Sequence, residues 1–261
     1  MKRVVSGLVG VPLVVGALYL TSQALFVLIA VVLFVLALLE YHRLCGIKGV
    51  MAAASLAAGS AGVLTAGTWT EYPGTFPGGL LLVLVAASLL GVGNPQERFH
   101  ATAEAVMGTV YIAYAFGCLV MLRNMPQGSS LVMMVLLVLW AGDTGAYYGG
   151  RRFGRRKLAP LLSPKKTLEG SLFGLAGSLA VGMTAAMILL DGVTLFQALA
   201  VSLVVALCGQ AGDLVVSLWK RAKGVKDSGR LIPGHGGLLD RIDSLLLGLP
   251  AGYILIRVMV F

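Results

Sequence analysis

Long apolar runs alternate with short polar breaks along almost the whole chain. The runs cover residues 4–20, 24–39, 50–69, 78–92, 105–122, 130–149, 167–190, 195–219 and 237–261. Crossing the hydrocarbon core of a bilayer takes about 20 helical residues, fewer where the bilayer thins. A helix also satisfies its own backbone polar groups, as a segment in lipid must. The pattern therefore predicts an all-α, polytopic membrane bundle of nine transmembrane helices. The run at 4–20 follows Met1-Lys2-Arg3 in the manner of a signal peptide. No small-residue cleavage site precedes the next run, so it is read as a retained span. In the seventh run Gly170, Gly174 and Gly177 have the spacing of a close helix-packing face. The expected organisation is an N-terminal group of five helices over 1–130 and a C-terminal region over 131–261 with two basic loops.

Composition supports a membrane protein. The 261 residues are 58% hydrophobic and 12% charged, with a mean hydropathy of +0.91, whereas a soluble domain carries about 25% charged residues. No polar block is large enough for a separate soluble domain. The net charge is +9, and the bases are clustered. Placing the N-terminus in the cytoplasm and alternating puts 17 of the 20 bases on the cytoplasmic side, seven of them between 151 and 166 and five between 220 and 230. The two basic loops then share one face, which also suits anionic lipid or phosphate. With no soluble basic domain and no nucleic-acid motif, nucleic acid is not an expected partner. Cys45, Cys118 and Cys208 form no CxxC pair, so they are read as packing residues rather than zinc ligands or disulfides.

Candidate chemistry concentrates at 143–170 and 212–243. Carboxylates inside oily helices are costly and mark function. Asp143, Asp213, Asp240 and Asp243 all lie in or at the end of an apolar run. Asp240 and Asp243 are three apart, on one side of a continuous helix, and Asp213, Ser217 and Lys220 form a stripe on another. Carboxylate oxygens on neighbouring helices suit a hard cation such as magnesium, which in turn bridges phosphate oxygens. Lys220, Arg221, Lys223, Lys226 and Arg230 precede the turn Pro233-Gly234-His235-Gly236-Gly237. Glycines at a helix start let backbone N–H groups approach an anion. No Walker A string and no GxGxxG fingerprint occur. His235 is read as a phosphate contact first and an acid–base group second; a hydrogen-bonded turn residue is the alternative. In the other segment Asp143 and Tyr147 are four apart. Ser163-Pro164-Lys165-Lys166-Thr167 leads into a helix with Glu169 in its first turn. That arrangement suits a polyphosphate, or makes Thr167 simply an N-cap.

These residues closely resemble the signature of phosphatidate cytidylyltransferases (CDP-diacylglycerol synthases). The first block runs Ser217-x-x-Lys220-Arg221-x4-Lys226-Asp227-x-Gly229, then Pro233-x-His235-Gly236-Gly237-x-x-Asp240-Arg241-x-Asp243. The second comprises Asp143, Ala146, Tyr147, Gly154, Leu158, Ser163, Pro164, Lys166, Thr167 and Gly170. The resemblance covers roughly the C-terminal half. It implies a membrane-embedded nucleotidyltransferase that joins CTP to phosphatidate, releasing pyrophosphate and forming CDP-diacylglycerol for phospholipid synthesis. It further implies a homodimer in a bacterial cytoplasmic membrane, with the site open to the cytoplasmic leaflet. Magnesium, accompanied by potassium, is implied at Asp213 and Asp240, and the metal assignment extends to Asp243 and Asp143. The expected catalytic set is Lys220, Arg221, Lys226, Asp227 and His235. Substrate binding is expected of Tyr147, Ser163, Lys165, Lys166, Thr167, Ser217, Gly236, Gly237 and Arg241. Two positions depart from the pattern: Val216 stands where many members have Glu, and Trp219 replaces a smaller aliphatic residue. Two other readings compete, an anion transporter coupled through midplane carboxylates and a CTP-dependent lipid kinase releasing CDP.

Overall fold

The computed structural model describes residues 2–66, 75–89, 94–229 and 236–260. Each of the nine apolar runs is largely helical where it is described; the end of the third run and part of the fourth lie outside the described residues. Among the described residues six helices are long and apolar enough to cross a membrane: Gln23–Cys45, Pro95–Asn124, Gly128–Phe153, Leu168–Leu189, Leu195–Ala222 and the segment Leu239–Met259. The chain divides into two compact units, one of residues 1–124 with 227–239 and one of 125–226 with 240–261.

The first unit contains α1 (Lys2–Tyr19), α2 (Gln23–Cys45), α3 (Gly49–Thr65), α4 (Thr75–Ser88) and α5 (Pro95–Asn124). Helix α5 is its centre and packs against α2, α3 and α4. It starts earlier than the apolar run because the polar stretch before that run is itself a helix start. Asn94 Oδ1 accepts the Glu97 N–H at 2.9 Å, and Pro95 occupies the first helical position, where its missing N–H costs nothing. Hydropathy marks only the part of a helix that meets lipid; the cap marks where the helix begins. Helix α2 is capped by Ser22 and ends at Gly46, whose φ of 76° is left-handed and whose N–H reaches the His42 carbonyl. The core between α2, α3 and α5 holds Phe34, Leu38, Tyr41 and Ile112, all at most 2% exposed. Phe34 meets Phe116 edge-on at 6.2 Å. Gly108 exists to admit Tyr41, since a Cβ there would lie 2.0 Å from the ring.

The second unit contains α6 (Gly128–Phe153), a hairpin of β1 (Lys157–Ala159) and β2 (Ser163–Thr167), α7 (Leu168–Leu189), α8 (Leu195–Ala222), most of α9 (Leu239–Ile242), and α10 (Leu245–Met259). Helices α6 and α7 form the tightest pair. A Cβ on Gly174 would meet the Gly142 carbonyl at 2.7 Å, and one on Gly145 would meet the Phe173 carbonyl at 2.7 Å. Gly170 would likewise strike the Ala146 carbonyl at 2.9 Å, so glycines on both helices let the two backbones touch. Ser178 donates to the Val138 carbonyl at 2.7 Å across the same seam.

Two features differ from the all-α expectation. The basic segment is not a plain loop. Its first two arginines complete the last turn of α6, and residues 157–167 form an antiparallel pair with Lys157 opposite Thr167 and Ala159 opposite Ser163. Glu169 fastens the hairpin to α7 by accepting the N–H groups of Arg155 at 2.9 Å and Arg156 at 3.2 Å. The ninth run is also two helices rather than one. Asp243 turns its carboxyl back onto the N–H of Ser244 at 2.8 Å, a local bond that competes with helix continuation. Asp240 and Asp243 therefore do not share one helix face.

The α6–α7 seam makes a test. Gly174→Leu should destabilise the protein by about 1–3 kcal/mol or more, the usual cost of overpacking a filled site, read as a lower unfolding temperature in detergent. Gly79→Ala, where an added Cβ meets nothing within 4 Å, should leave that temperature unchanged or raised.

Candidate active site

The second unit carries a cavity of about 440 Å³. Its wall includes Asp143, Ala146, Tyr147 and Arg151 from α6, Lys165, Lys166 and Thr167 from β2, Ser171 from α7, and Gln210 and Asp213 from α8. The hairpin explains how two lysines reach a site between helices. β2 runs straight into α7, so Lys165 and Lys166 lie just ahead of the helix start. Thr167 is the N-cap of α7: its Oγ1 accepts the Gly170 N–H at 3.1 Å. The glycines of the α6–α7 seam then draw Asp143 on α6 toward this strand–helix junction.

Electrostatics organise the cavity floor. The Lys166 ammonium sits 2.6 Å from Asp213, and each partner is 27% exposed. Ser217, one turn further along α8, donates to Asp213 at 3.4 Å and is buried. Asp143 lies close enough to sense both Asp213 and Lys166, and Asp243 senses Asp213, Asp143 and Lys220. Three carboxyl groups thus share one neighbourhood. A second pair lies deeper: Lys220 donates to Asp240 at 2.6 Å, with both side chains 11% exposed. Helix α8 consequently presents Asp213, Ser217 and Lys220 as one polar stripe in an otherwise apolar helix. Val216, on the same helix, is fully buried.

The remaining candidates divide by position. Arg221 is exposed and braces two segments, donating from Nε to the Leu162 carbonyl at 3.1 Å and from Nη1 to the Val225 carbonyl at 2.9 Å. It therefore ties the hairpin turn to the end of α8. Tyr147 is 60% exposed beside Tyr148, and its hydroxyl accepts from Arg151 at 3.5 Å. Ser163 opens β2 opposite Ala159, outside the cavity wall. Arg241 is exposed on α9, and Lys226 is exposed after α8. Asp227, Gly236 and Gly237 belong to the first unit. Asp227 is exposed, and Gly236 has a left-handed φ of 83°. His235 lies outside the described residues.

Three polar groups carry more than their sequence context suggests. Ser171 donates to Gln210 Oε1 while Gln210 Nε2 donates to the Ser171 carbonyl at 3.1 Å, which fixes an amide in the cavity wall. The signal for Gln210 was available, as a polar residue three positions before Asp213 in an oily run. The third is Glu40, a buried acid of α2 in the first unit.

Carboxylate oxygen, the donor type of Asp143, Asp213 and Asp243, is the kind a hard cation takes. Among the described residues no three Asp, Glu, His or Cys side chains are drawn together as a ligand group. Lysine ammonium groups instead stand directly on Asp213 and Asp240.

Comparison with known proteins accounts for this arrangement. The chain is 36% identical to a phosphatidate cytidylyltransferase of Pseudomonas aeruginosa over 256 residues, covering 95% of this chain and 94% of that protein. It is 37% identical over 171 residues to the phosphatidate cytidylyltransferase of Staphylococcus saprophyticus, a stretch covering 66% of this chain and 65% of that protein. The Staphylococcus epidermidis protein of the same name is 36% identical over 185 residues, or 71% of this chain and 70% of its own length. Residues 1–259 match the model of the cytidylyltransferase family. A match of that extent, with its lysine–aspartate cavity in multi-pass membrane helices, means that the chain belongs to the cytidylyltransferase family.

Proposed function

We propose that this protein transfers the cytidylyl group of CTP to phosphatidate, forming CDP-diacylglycerol and releasing pyrophosphate for phospholipid synthesis. The observation that carries the reading is the cavity on α6, β2, α7 and α8. It combines lysines for phosphate with clustered carboxylates inside an apolar bundle. Such a cavity suits a water-soluble nucleotide that must meet a lipid phosphate.

The phosphatidate phosphate oxygen attacks the α-phosphorus of CTP, and the bond from that phosphorus to the β-phosphate bridging oxygen breaks. The nucleophile is already anionic at neutral pH, so positioning and charge neutralisation matter more than a base. Lys165, Lys166 and Arg151 hold the nucleotide phosphates and the departing pyrophosphate. Ser217 and Tyr147 orient groups beside them. Lys220, held by Asp240, supplies buried positive charge at the depth of the lipid phosphate. Asp213, Asp240, Asp243 and Asp143 would hold magnesium, with potassium accompanying it, and the ion would neutralise charge on the phosphate oxygens. Lys166, which lines the cavity beside Asp213, is placed to reach a nucleotide phosphate. Arg241, Lys226 and Arg221 add positive field at the mouth.

In topology, nine crossings with the N-terminus in the cytoplasm put both basic segments on the cytoplasmic side. The enzyme works as a homodimer in a bacterial inner membrane, with the site facing the cytoplasm.

Two measurements test this reading. Purified protein given phosphatidate, magnesium and CTP labelled at the α-phosphate should place the label in the lipid phase; label at the γ-phosphate should stay in pyrophosphate. Lipid labelled from the γ-phosphate, with CDP released, would instead identify a kinase. In the second, Asp240→Asn should lower kcat by about 100-fold or more while the protein still inserts and purifies, because it removes the partner of a buried ammonium. Near-normal turnover of that variant would overturn the role given to Asp240.

A further inference from the structure

Within the first unit, one buried acid has nothing to do with the cavity lysines and still gathers much of the signature segment. Glu40 lies near the C-terminal end of α2 and is 3% exposed. Among the described residues no ion pair to it is formed. Its hydrogen-bond donors come from residues almost two hundred positions later in the chain. Ser228 donates its hydroxyl to Oε1, the Leu238 N–H donates to Oε2 at 2.8 Å, and the Leu239 N–H donates to Oε1 at 3.2 Å. Leu239 is the first residue of α9, so Glu40 occupies the place of a helix N-cap supplied from a distant helix.

The same side chain explains two glycines. A Cβ on Gly237 would lie 1.8 Å from Glu40 Oε1 and 2.2 Å from Ser228 Oγ. A Cβ on Gly229 would lie 2.9 Å from Glu40 Cδ. Neither glycine has a left-handed φ, so conformational freedom does not account for them. They are small because a carboxyl group fills the space a side chain would need. Both ends of 227–239 are thus wrapped round one carboxyl group: Ser228 and Gly229 at the start, Gly237, Leu238 and Leu239 at the end.

We infer that Glu40 is a positioning residue that ties Ser228 and Gly229 to Gly237, Leu238 and Leu239 and thereby fixes the backbone next to Asp240. The consequence for catalysis rests on the proposed cytidylyltransferase reading, in which Asp240 and the Gly236-Gly237 turn serve the reaction. Leu239 is the residue before Asp240, so a hydrogen bond to its N–H fixes the chain one residue from that aspartate. Gly237, expected from the resemblance to contact substrate, has a sufficient reason to be glycine in the clamp alone. Replacing Glu40 by Gln keeps the shape but exchanges one acceptor oxygen for an NH₂ group. At least one of three converging donors then loses its partner.

The test compares wild type, Glu40→Gln, Ser228→Ala and the double variant in detergent. Ser55→Ala serves as a control. Ser55, on α3, is fully buried and bonds at 3.0 Å to Nε2 of His42, which shares α2 with Glu40. Glu40→Gln should raise hydrogen–deuterium exchange in peptides covering 227–239 and leave exchange in 128–222 as it was. It should lower kcat on the order of 100-fold, the scale of an ångström-sized misplacement of a reacting group, with KM for phosphatidate little changed. The Ser228→Ala loss should be smaller, and the double variant should lose less than the product of the two. Ser55→Ala should lower the unfolding temperature and keep kcat. Unchanged exchange at 227–239 in Glu40→Gln, or a normal kcat with only a lower unfolding temperature, would overturn the inference. If wild type forms no CDP-diacylglycerol, the enzymatic reading falls; exchange then decides the clamp by itself, upheld if it rises and overturned if it does not.

Discussion

Charge buried among apolar helices is the constraint on which the rest of this structure depends. An isolated carboxylate or ammonium in such surroundings costs several kcal/mol. The second unit meets that cost by pairing. Lys166 stands on Asp213 and Lys220 on Asp240. These two pairs dictate which helices must be adjacent and at what depth. They account for the hairpin, which delivers Lys166, and for the glycine seam of α6 and α7, which brings Asp143 near the same place.

In the first unit the partners that Glu40 finds among the described residues are hydrogen-bond donors. Glu40 is surrounded by a hydroxyl and two backbone N–H groups. Hydrogen bonds do there what ammonium groups do in the second unit. The two solutions suit different ends. A lysine is long, mobile and exchangeable, which fits a site that must accept and release polyphosphate. Backbone donors are short and fixed, which fits the holding of Leu238 and Leu239 in one place.

Rigid backbone contact and mobile charge therefore divide the work. Backbones touch where the glycines lie, along Gly142, Gly145, Gly170 and Gly174, and give a stiff wall. The groups proposed to contact the nucleotide lie at the rim or on the strand: Lys165 and Lys166 on β2, Arg151 at the end of α6, and Tyr147 largely exposed. Arg221 couples the two regimes by bonding the hairpin turn from the last turn of α8.

The linear pattern of oily runs determined the helices by itself, because an apolar segment in lipid has no other way to satisfy its backbone. It also marked a close-packing face on α7, where small residues recur at helical spacing, though not that α6 meets it, and it singled out the aspartates and lysines, since charge in an oily run is too costly to be incidental. Family membership was legible in the spacing of 143–170 and 212–243. Only tertiary structure decided which charge answers which. Lys166 and Asp213 are 47 positions apart, and nothing local distinguishes that pairing from Lys165 with Asp143. The break between α9 and α10 was hidden for a similar reason. Asp243 bonds the next N–H, so i, i+3 spacing over 240–243 falsely suggested a shared face. Glu40 looked like the polar end of a span. Its role depends on a segment 188 to 199 residues away, and a contact of that range exists only once the chain has folded.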